Sequence, residues 1–335
     1  MQFSTSCSPF TPANTSVNQL MRQVLIALLP ALGTMFWLFG YTVLLQLLLS
    51  SITALLAEAL CLWLRKRPIK VHLFDLSALI TAALLALAIP TIAPWWISVS
   101  GTLFAIIIAK QVYGGLGYNP FNPAMAGYVF LLISFPQQMT AWQSPFLFLP
   151  LSDSLQLIFS GHLVIDGLSS ATILDHIKTQ LSLGLSLTGI QSSALFGNIA
   201  GKGWELISLA YLLGGLWLLY RKVISWHIPV AVLSGLAIPT SIHYLLDTGS
   251  ANSALFQLLS GASLCAAFFI ATDPVSAATS NSGHLIYGIL IGLLIYIIRT
   301  WGGYPDAIAF AVLLANLSAP AIDFYTHPKP LKQQL

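Results

Sequence analysis

Seven consecutive residues gather side chains that could do chemistry: Asp166-Gly167-Leu168-Ser169-Ser170-Ala171-Thr172. Three hydroxyls and a carboxylate stand together there, in a chain that is otherwise mostly apolar. The next residues suggest a use for the last hydroxyl. Ile173, Leu174, Ile177 and Leu181 recur at near-helical spacing, with Asp175, His176, Lys178 and Gln180 between them. This predicts a short amphipathic helix over 172–181, capped by Thr172, with Asp175 at the third position as a capping-box variant. Elsewhere the ionisable groups are sparse. Glu58 and Asp75 lie in or near apolar stretches, where a charge is costly and function is the default expectation. Glu58 is about two helical turns from Arg65 and either pairs with it towards the interface or serves an ion path. Asp273-Pro274 closes another apolar run, where the carboxylate either caps a turn or faces a cofactor. Cys7, Cys61 and Cys265 match no metal or redox spacing, and no nucleophile–base pair is legible.

These groups must be held by apolar elements. Of 335 residues, 57% are hydrophobic and 7% charged, against roughly 25% charged in an ordinary soluble domain. Such a chain cannot cover a water-facing surface, so the expected class is an all-α polytopic membrane protein. Ten apolar segments are expected to cross the bilayer, at about 21–39, 41–64, 72–90, 95–113, 122–136, 203–220, 226–245, 252–272, 284–299 and 305–323. Residues 1–20 are polar and carry no signal-peptide pattern. The net charge of +3 gives no reason to expect a nucleic-acid partner.

Lysine and arginine set the expected orientation. With the N-terminus inside, Arg22, Arg65, Lys66, Arg67, Lys70, Lys110, Arg221, Lys222, Lys329 and Lys332 are cytoplasmic. Lys178, Lys202 and Arg299 remain outside. Both termini are therefore expected in the cytoplasm, and 137–202, which holds the hydroxyl cluster, on the periplasmic side. Trp95, Trp96, Trp204, Trp226 and Trp301 fall at the expected boundaries, as an aromatic belt would.

Two echoes suggest an internal repeat. Leu87-Ala88-Ile89-Pro90-Thr91 recurs as Leu236-Ala237-Ile238-Pro239-Thr240, and Ala124, Phe130 and Pro136 match Ala262, Phe268 and Pro274 without a gap. They are read as placing spans one to five in register with spans six to ten. Five being odd, the halves would be inverted, and short or Gly/Pro-interrupted segments would mark the binding site. The expected organisation is an N-terminal tail (1–20), a first five-helix repeat (21–136), the 137–202 loop, a second repeat (203–323) and a C-terminal tail (324–335). The stretch 113–127, "YGGLGYNPFNPAMAG", has four glycines and two Asn-Pro pairs, with Asn122 as an expected N-cap and Pro123 at the first helical position. Ser260-Gly261-Ala262-Ser263 is its expected counterpart. Irregular backbone at membrane depth is tolerated where it lines a cavity; close helix packing by small residues is the competing explanation.

The spacing Asp-x-x-Ser/Thr-x-Ala-Thr also resembles the flavinylation signature of the Rnf and Na⁺-translocating NADH:quinone reductase families. "GGLGYNPFNPAMAG" and "AFFIATDPVSA" (267–277) resemble stretches of the same family, shared by the D member of the Rnf (Rsx) complex and the B member of the quinone reductase. The likeness runs from the first span to the tenth, and the short stretch before the first span resembles the Rnf member. It implies FMN joined through its phosphate to Thr172 by a separate flavin transferase, with Asp166, Ser169, Ser170 and Ala171 completing the motif; Ser170 stands where glycine is frequent. It implies a second, non-covalent flavin, riboflavin, near Asn119, Asn122, Pro123, Ser260, Gly261 and Asp273. It implies partners too: the other Rnf subunits, a second flavinylated subunit among them, and membrane lipid. The expected work is electron transfer between ferredoxin and NAD coupled to Na⁺ or H⁺ movement in a bacterial inner membrane, by a translocase subunit not catalytic alone. An inverted repeat with broken helices also resembles urea-channel architecture, so a small-solute channel, or a scaffold without redox chemistry, is the rival expectation.

Overall fold

The computed structural model describes residues 16–161, 167–190, 193, 195–247, 249, 251–304 and 306–326. The fold is mostly helical. Five helices are long and apolar enough to cross a membrane: Val17–Phe39, Tyr41–Leu64, His227–Leu246, Asn281–Trp301 and Ile308–Thr326. Four shorter apolar helices, Ser77–Ala88, Trp95–Gln111, Pro123–Ser134 and Trp204–Tyr220, occupy four more of the expected segments. Large apolar side chains such as Leu29, Leu56, Trp63, Leu213 and Leu317 stand exposed on the outer helix faces. Water would penalise such a surface, and lipid would not.

Local chemistry explains why some helices are short. The third segment starts at Ser77 and not at 72, because Ile69–Leu73 forms a separate short helix and Leu76 turns the chain with φ of 65°. Asp75 secures the restart: its Oδ1 accepts from the Ser77 N–H at 2.8 Å and from the Ser77 hydroxyl at 2.5 Å. The helix Pro123–Ser134 begins as expected, with Asn122 as N-cap accepting from the Met125 N–H and Pro123 at the first position. The segment expected over 252–272 is broken. Ala254–Leu259 ends at Ser260 in extended backbone, Gly261 turns at φ of 61°, and helix resumes at Ser263. Two stretches, Phe104–Gln111 and Ala266–Ile270, are wound as π-helix; Val112 N–H reaches Ile107 O, and Ala271 N–H reaches Ala266 O.

Packing runs in parallel in the two halves. Tyr41–Leu64 packs on Ser77–Ala88 and Trp95–Gln111, while His227–Leu246 packs on Ala254–Leu259 and Asn281–Trp301. Val17–Phe39 lies against Trp204–Tyr220, and Pro123–Ser134 against Ile308–Thr326, across the join. In order along the chain, these contacts match the second helix to the seventh, the third to the eighth and the fourth to the ninth. The sequence echoes do not follow that order. Leu87–Thr91 echoes a stretch of the seventh segment from the end of the third, and 122–136 echoes the eighth from the fifth. The echoes are therefore not the trace of a five-helix register; short apolar strings recur because the alphabet of such helices is small.

Candidate functional site

The hydroxyl cluster is held by a two-residue antiparallel pairing, Trp142 with Ser170 and Gln143 with Ser169. Gln143, fully buried, ties this pair to the helix ends. Its amide donates to Phe39 O at 2.9 Å and Leu147 O at 2.6 Å, and its Oε1 accepts from Thr42 and Thr91. Gly167 enters the pairing at φ of 73°, where a side chain would be strained. Ser144 reaches back to it, Oγ donating to Gly167 O at 2.6 Å. Asp166 lies outside the described residues.

Thr172 is the N-cap of the helix Ile173–Ser182, its Oγ1 accepting from the Asp175 N–H at 3.3 Å. The expected amphipathic face is real, with Ile173, Leu174 and Ile177 buried. The helix is pinned at its middle. Lys178 Nζ donates to Tyr304 O at 3.0 Å, beyond the C-terminal end of Asn281–Trp301. Partial burial lowers the Lys178 pKa from the ordinary lysine value, and the Asp175 carboxylate opposes that shift.

Thr172 and Asp175 line a mostly apolar cavity of about 130 Å³ between the two halves, shared with Met125, Trp142, Trp204 and Asp306. Asp306 is the far polar wall. Its Oδ1 takes Arg299 Nη2 at 3.2 Å and its Oδ2 the Ala262 N–H at 3.2 Å. Beside the cluster on its other side, Ser170, Ala171, Phe146, Lys202 and Trp204 border an open groove of about 380 Å³. Thr172 is half-buried, and among the described residues no acceptor takes its hydroxyl proton. Its oxygen is therefore free to carry an ester while still capping the helix. A phosphate there would meet the free N–H groups of the first helical turn, a favourable place for an anion. The residues fit a phosphate-linked group at Thr172.

A second cavity, of about 470 Å³, opens elsewhere between the halves and collects Asn119, Asn122, Pro123 and Asp273, along with Ser77 and Lys110. Its volume lies within the range of small-molecule sites. Leu84 lines both cavities. On the opposite wall the π-helical turn puts Phe269 on one cavity and Ile270 on the other.

The six residues expected around one second site are therefore divided. Gly261 lines the Thr172 cavity, and Ser260 is fully buried with its carbonyl accepting from Arg299 Nη2 at 3.2 Å. Ser260 and Asp273 stand at opposite ends of one segment, and Gly261 and Asp273 line different cavities. Glu58 also departs from expectation. It pairs with Lys110, Nζ to Oε1 at 2.7 Å, each side chain 2% exposed. Arg65 instead donates to Gln111 Oε1 at 3.0 Å. The wider π turn lets consecutive Lys110 and Gln111 both reach Glu58 Oε1, the latter at 2.8 Å. Lys110 and Arg299 are buried and not loop charges, which leaves nine basic residues against two in the orientation count; the bias stands. Sequence reasoning missed Gln143, Lys110 and Asp306 as site residues. A cation inside "IIIAKQ" was the available signal for Lys110, and an acidic residue within a turn of an apolar helix start was the signal for Asp306.

A helical protein with an apolar exterior, two inner cavities and a helix-capping hydroxyl at the mouth of one is the class the geometry defines. Residues 4–332 match the NQR2, RnfD, RnfE family. A protein of Alcanivorax borkumensis, named as the D subunit of an ion-translocating oxidoreductase complex, is 53% identical, over 98% of this chain and 96% of its own length. One of the same name from Citrobacter koseri is 50% identical, over 98% and 99%. The chain belongs to the NQR2, RnfD, RnfE family.

Proposed function

We propose that this chain is an electron-carrying membrane subunit of an ion-translocating oxidoreductase complex of the Rnf type, with FMN joined through its phosphate to Thr172. The carrying observation is the placement of Thr172: a helix cap with an uncommitted hydroxyl, half-exposed at the mouth of an apolar cavity. The relatives' name supports the complex, and the motif Ser169-Ser170-Ala171-Thr172 supports the linkage. When bound, a flavin supplies one- and two-electron redox chemistry. The chain's own residues position it. Gln143 and the short strand pair hold the attachment loop, Lys178 anchors its helix, and the walls of the cavity exclude water. A second flavin, riboflavin, occupies the cavity lined by Asn119, Asn122, Pro123 and Asp273, one leucine away.

In this reading the ten segments cross a bacterial inner membrane as an inverted five-plus-five repeat, a reading supported by the parallel packing of the halves. Both termini are cytoplasmic and 137–202 periplasmic, where a flavin transferase acts. The complex passes electrons between ferredoxin and NAD and moves Na⁺ or H⁺, with the other subunits, a second flavinylated one included, completing the route.

The test is flavin fluorescence of the denatured protein in a gel, after co-expression with the transferase. Thr172→Ala removes both ester and cap; Thr172→Asn keeps a good cap but has no hydroxyl. Expected: wild type fluoresces and neither variant does, while Asn retains wild-type thermal stability. A dark wild type beside an active transferase would sink the linkage and favour the solute-channel use of the same architecture.

A further inference from the structure

A phosphate ester at Thr172 would bring a permanent negative charge to a place with few cations. Thr172 stands between two recesses. It lines the apolar cavity itself, while its neighbours Ala171 and Ile173 line the open groove on the other side. The charged side chains on the cavity lining are carboxylates, Asp175 and Asp306, so an anion turned that way meets like charge. The groove carries one charged side chain on its lining, Lys202.

The other cations expected on this side are committed. Lys178 Nζ donates to Tyr304 O at 3.0 Å and Ile298 O at 3.5 Å. Arg299 spends its two terminal nitrogens on Gln257, the Ser260 carbonyl and Asp306. His176, one turn beyond Thr172, lines neither recess. Lys202 differs from all three. It is exposed, and its Nζ has no hydrogen bond or ion pair among the described residues.

The backbone around Lys202 is nevertheless fixed, and fixed against the start of the attachment helix. The Lys202 N–H donates to Leu195 O at 2.9 Å, and Phe196 bridges Gly201. Glu205, the acidic residue nearest in the chain, is occupied: its Oε2 accepts from the N–H groups of Ile199 at 3.2 Å and Ala200 at 3.3 Å. It closes the loop and leaves the lysine unpaired. A Cβ on Gly201 would lie 2.9 Å from Ile173 Cγ2, so the loop packs directly on the residue that follows Thr172. Lys202 is the next residue along.

We propose that Lys202 is the counter-ion of the phosphodiester at Thr172, a positioning residue that draws the phosphate to the groove side of the helix start. The anion then lies between the ammonium and the free N–H groups of the first turn, both favourable to it. The carboxylate-lined cavity is left to the uncharged part of the group. The inference rests on the reading of Thr172 as the attachment site.

The experiment uses the full-length chain co-expressed with the flavin transferase and purified in dodecyl maltoside, which contains no phosphorus. The ³¹P resonance of the phosphodiester is followed against salt, with Thr172→Ala supplying the background from residual lipid. Wild type is compared with Lys202→Gln and Lys202→Arg, and each chain is also melted without flavin. Expected: the wild-type resonance moves with rising salt, because an exposed ion pair is screened, towards the position Lys202→Gln shows throughout. Lys202→Arg restores the wild-type shift and its salt dependence. All three unmodified chains melt alike. A resonance in Lys202→Gln identical to wild type, salt dependence included, would overturn the proposal. So would a lower melting temperature of unmodified Lys202→Gln, which marks a structural role. Should Lys202→Gln melt normally yet accept no flavin while Lys202→Arg does, the charge is already required during attachment, and the proposal stands. No phosphodiester in wild type beside an active transferase would instead sink the attachment reading, and this inference with it.

Discussion

At the scale of single residues, the site depends on polar side chains that serve structure and attachment together. Thr172 as a cap is worth about 1 kcal/mol by comparison with capping substitutions elsewhere, so Thr172→Ala is expected to lower thermal stability only slightly. Gln143 is the more demanding position. Removing its amide by Gln143→Met leaves Thr42, Thr91 and the carbonyls of Phe39 and Leu147 without the partner they now share. Each buried group stripped of a partner costs about 1–3 kcal/mol. The variant is expected to melt several degrees lower. Its flavin incorporation per folded molecule should also fall, although Thr172 is intact, because the strand pair that presents the loop has lost its anchor. Calorimetry beside in-gel fluorescence checks both; normal incorporation in a destabilised protein would show that the anchor does not govern presentation.

At the scale of elements, glycines decide which helices approach closely. A Cβ on Gly292 would lie 2.4 Å from Val232 O and 2.6 Å from the Gly235 carbonyl carbon, all rigid backbone of His227–Leu246. Gly292→Ala must therefore push the two helices apart, at a cost of about 1–3 kcal/mol, typical of overpacking. Gly33, within Val17–Phe39, has nothing within 4 Å of the same atom, so Gly33→Ala is expected to be neutral or to stabilise by about 0.5–1 kcal/mol through helix propensity. Equal losses in a thermal-shift assay would contradict this account of the helix pair. The elements themselves were largely legible. Asn122-Pro123 marked a helix start because cap and first-turn preferences are local, and Thr172 with its apolar face announced the next. Partners at a distance were not. Glu58 and Lys110 are 52 residues apart, and a rule that counts basic residues near span ends treats a buried ion pair as a loop charge. The cavity boundaries at Leu84 and Phe269–Ile270 were invisible for the same reason: π winding depends on what packs against the helix, and no residue type announces it.

At the scale of the whole molecule, two of the three short helices of the first half are too short to cross alone. Twelve residues of Ser77–Ala88 or Pro123–Ser134 reach about 18 Å at helical rise, against about 30 Å of hydrocarbon. They complete a crossing only if the irregular stretches at their ends, such as 89–94 and 112–122, lie inside protein and not in lipid. The 89–94 stretch meets that demand, with Ile89, Thr91 and Ala93 buried, whereas 112–122 meets it only at its end, where Asn119 and Asn122 are buried while Val112, Tyr113 and Tyr118 stand exposed. The proposed topology thus makes a sharp demand, because an odd number of crossings must separate residue 67 from residue 182. In a background with Cys7, Cys61 and Cys265 replaced by alanine, Arg67→Cys and Ser182→Cys place single thiols at positions outside the buried core. A membrane-impermeant maleimide applied to spheroplasts is expected to label Ser182→Cys at once and Arg67→Cys only after lysis. The reverse pattern would invert the orientation and put Thr172 in the cytoplasm, away from the transferase. Labelling of both from one side would mean that one of the three short helices enters and returns without crossing, and the five-plus-five arrangement would fall with it.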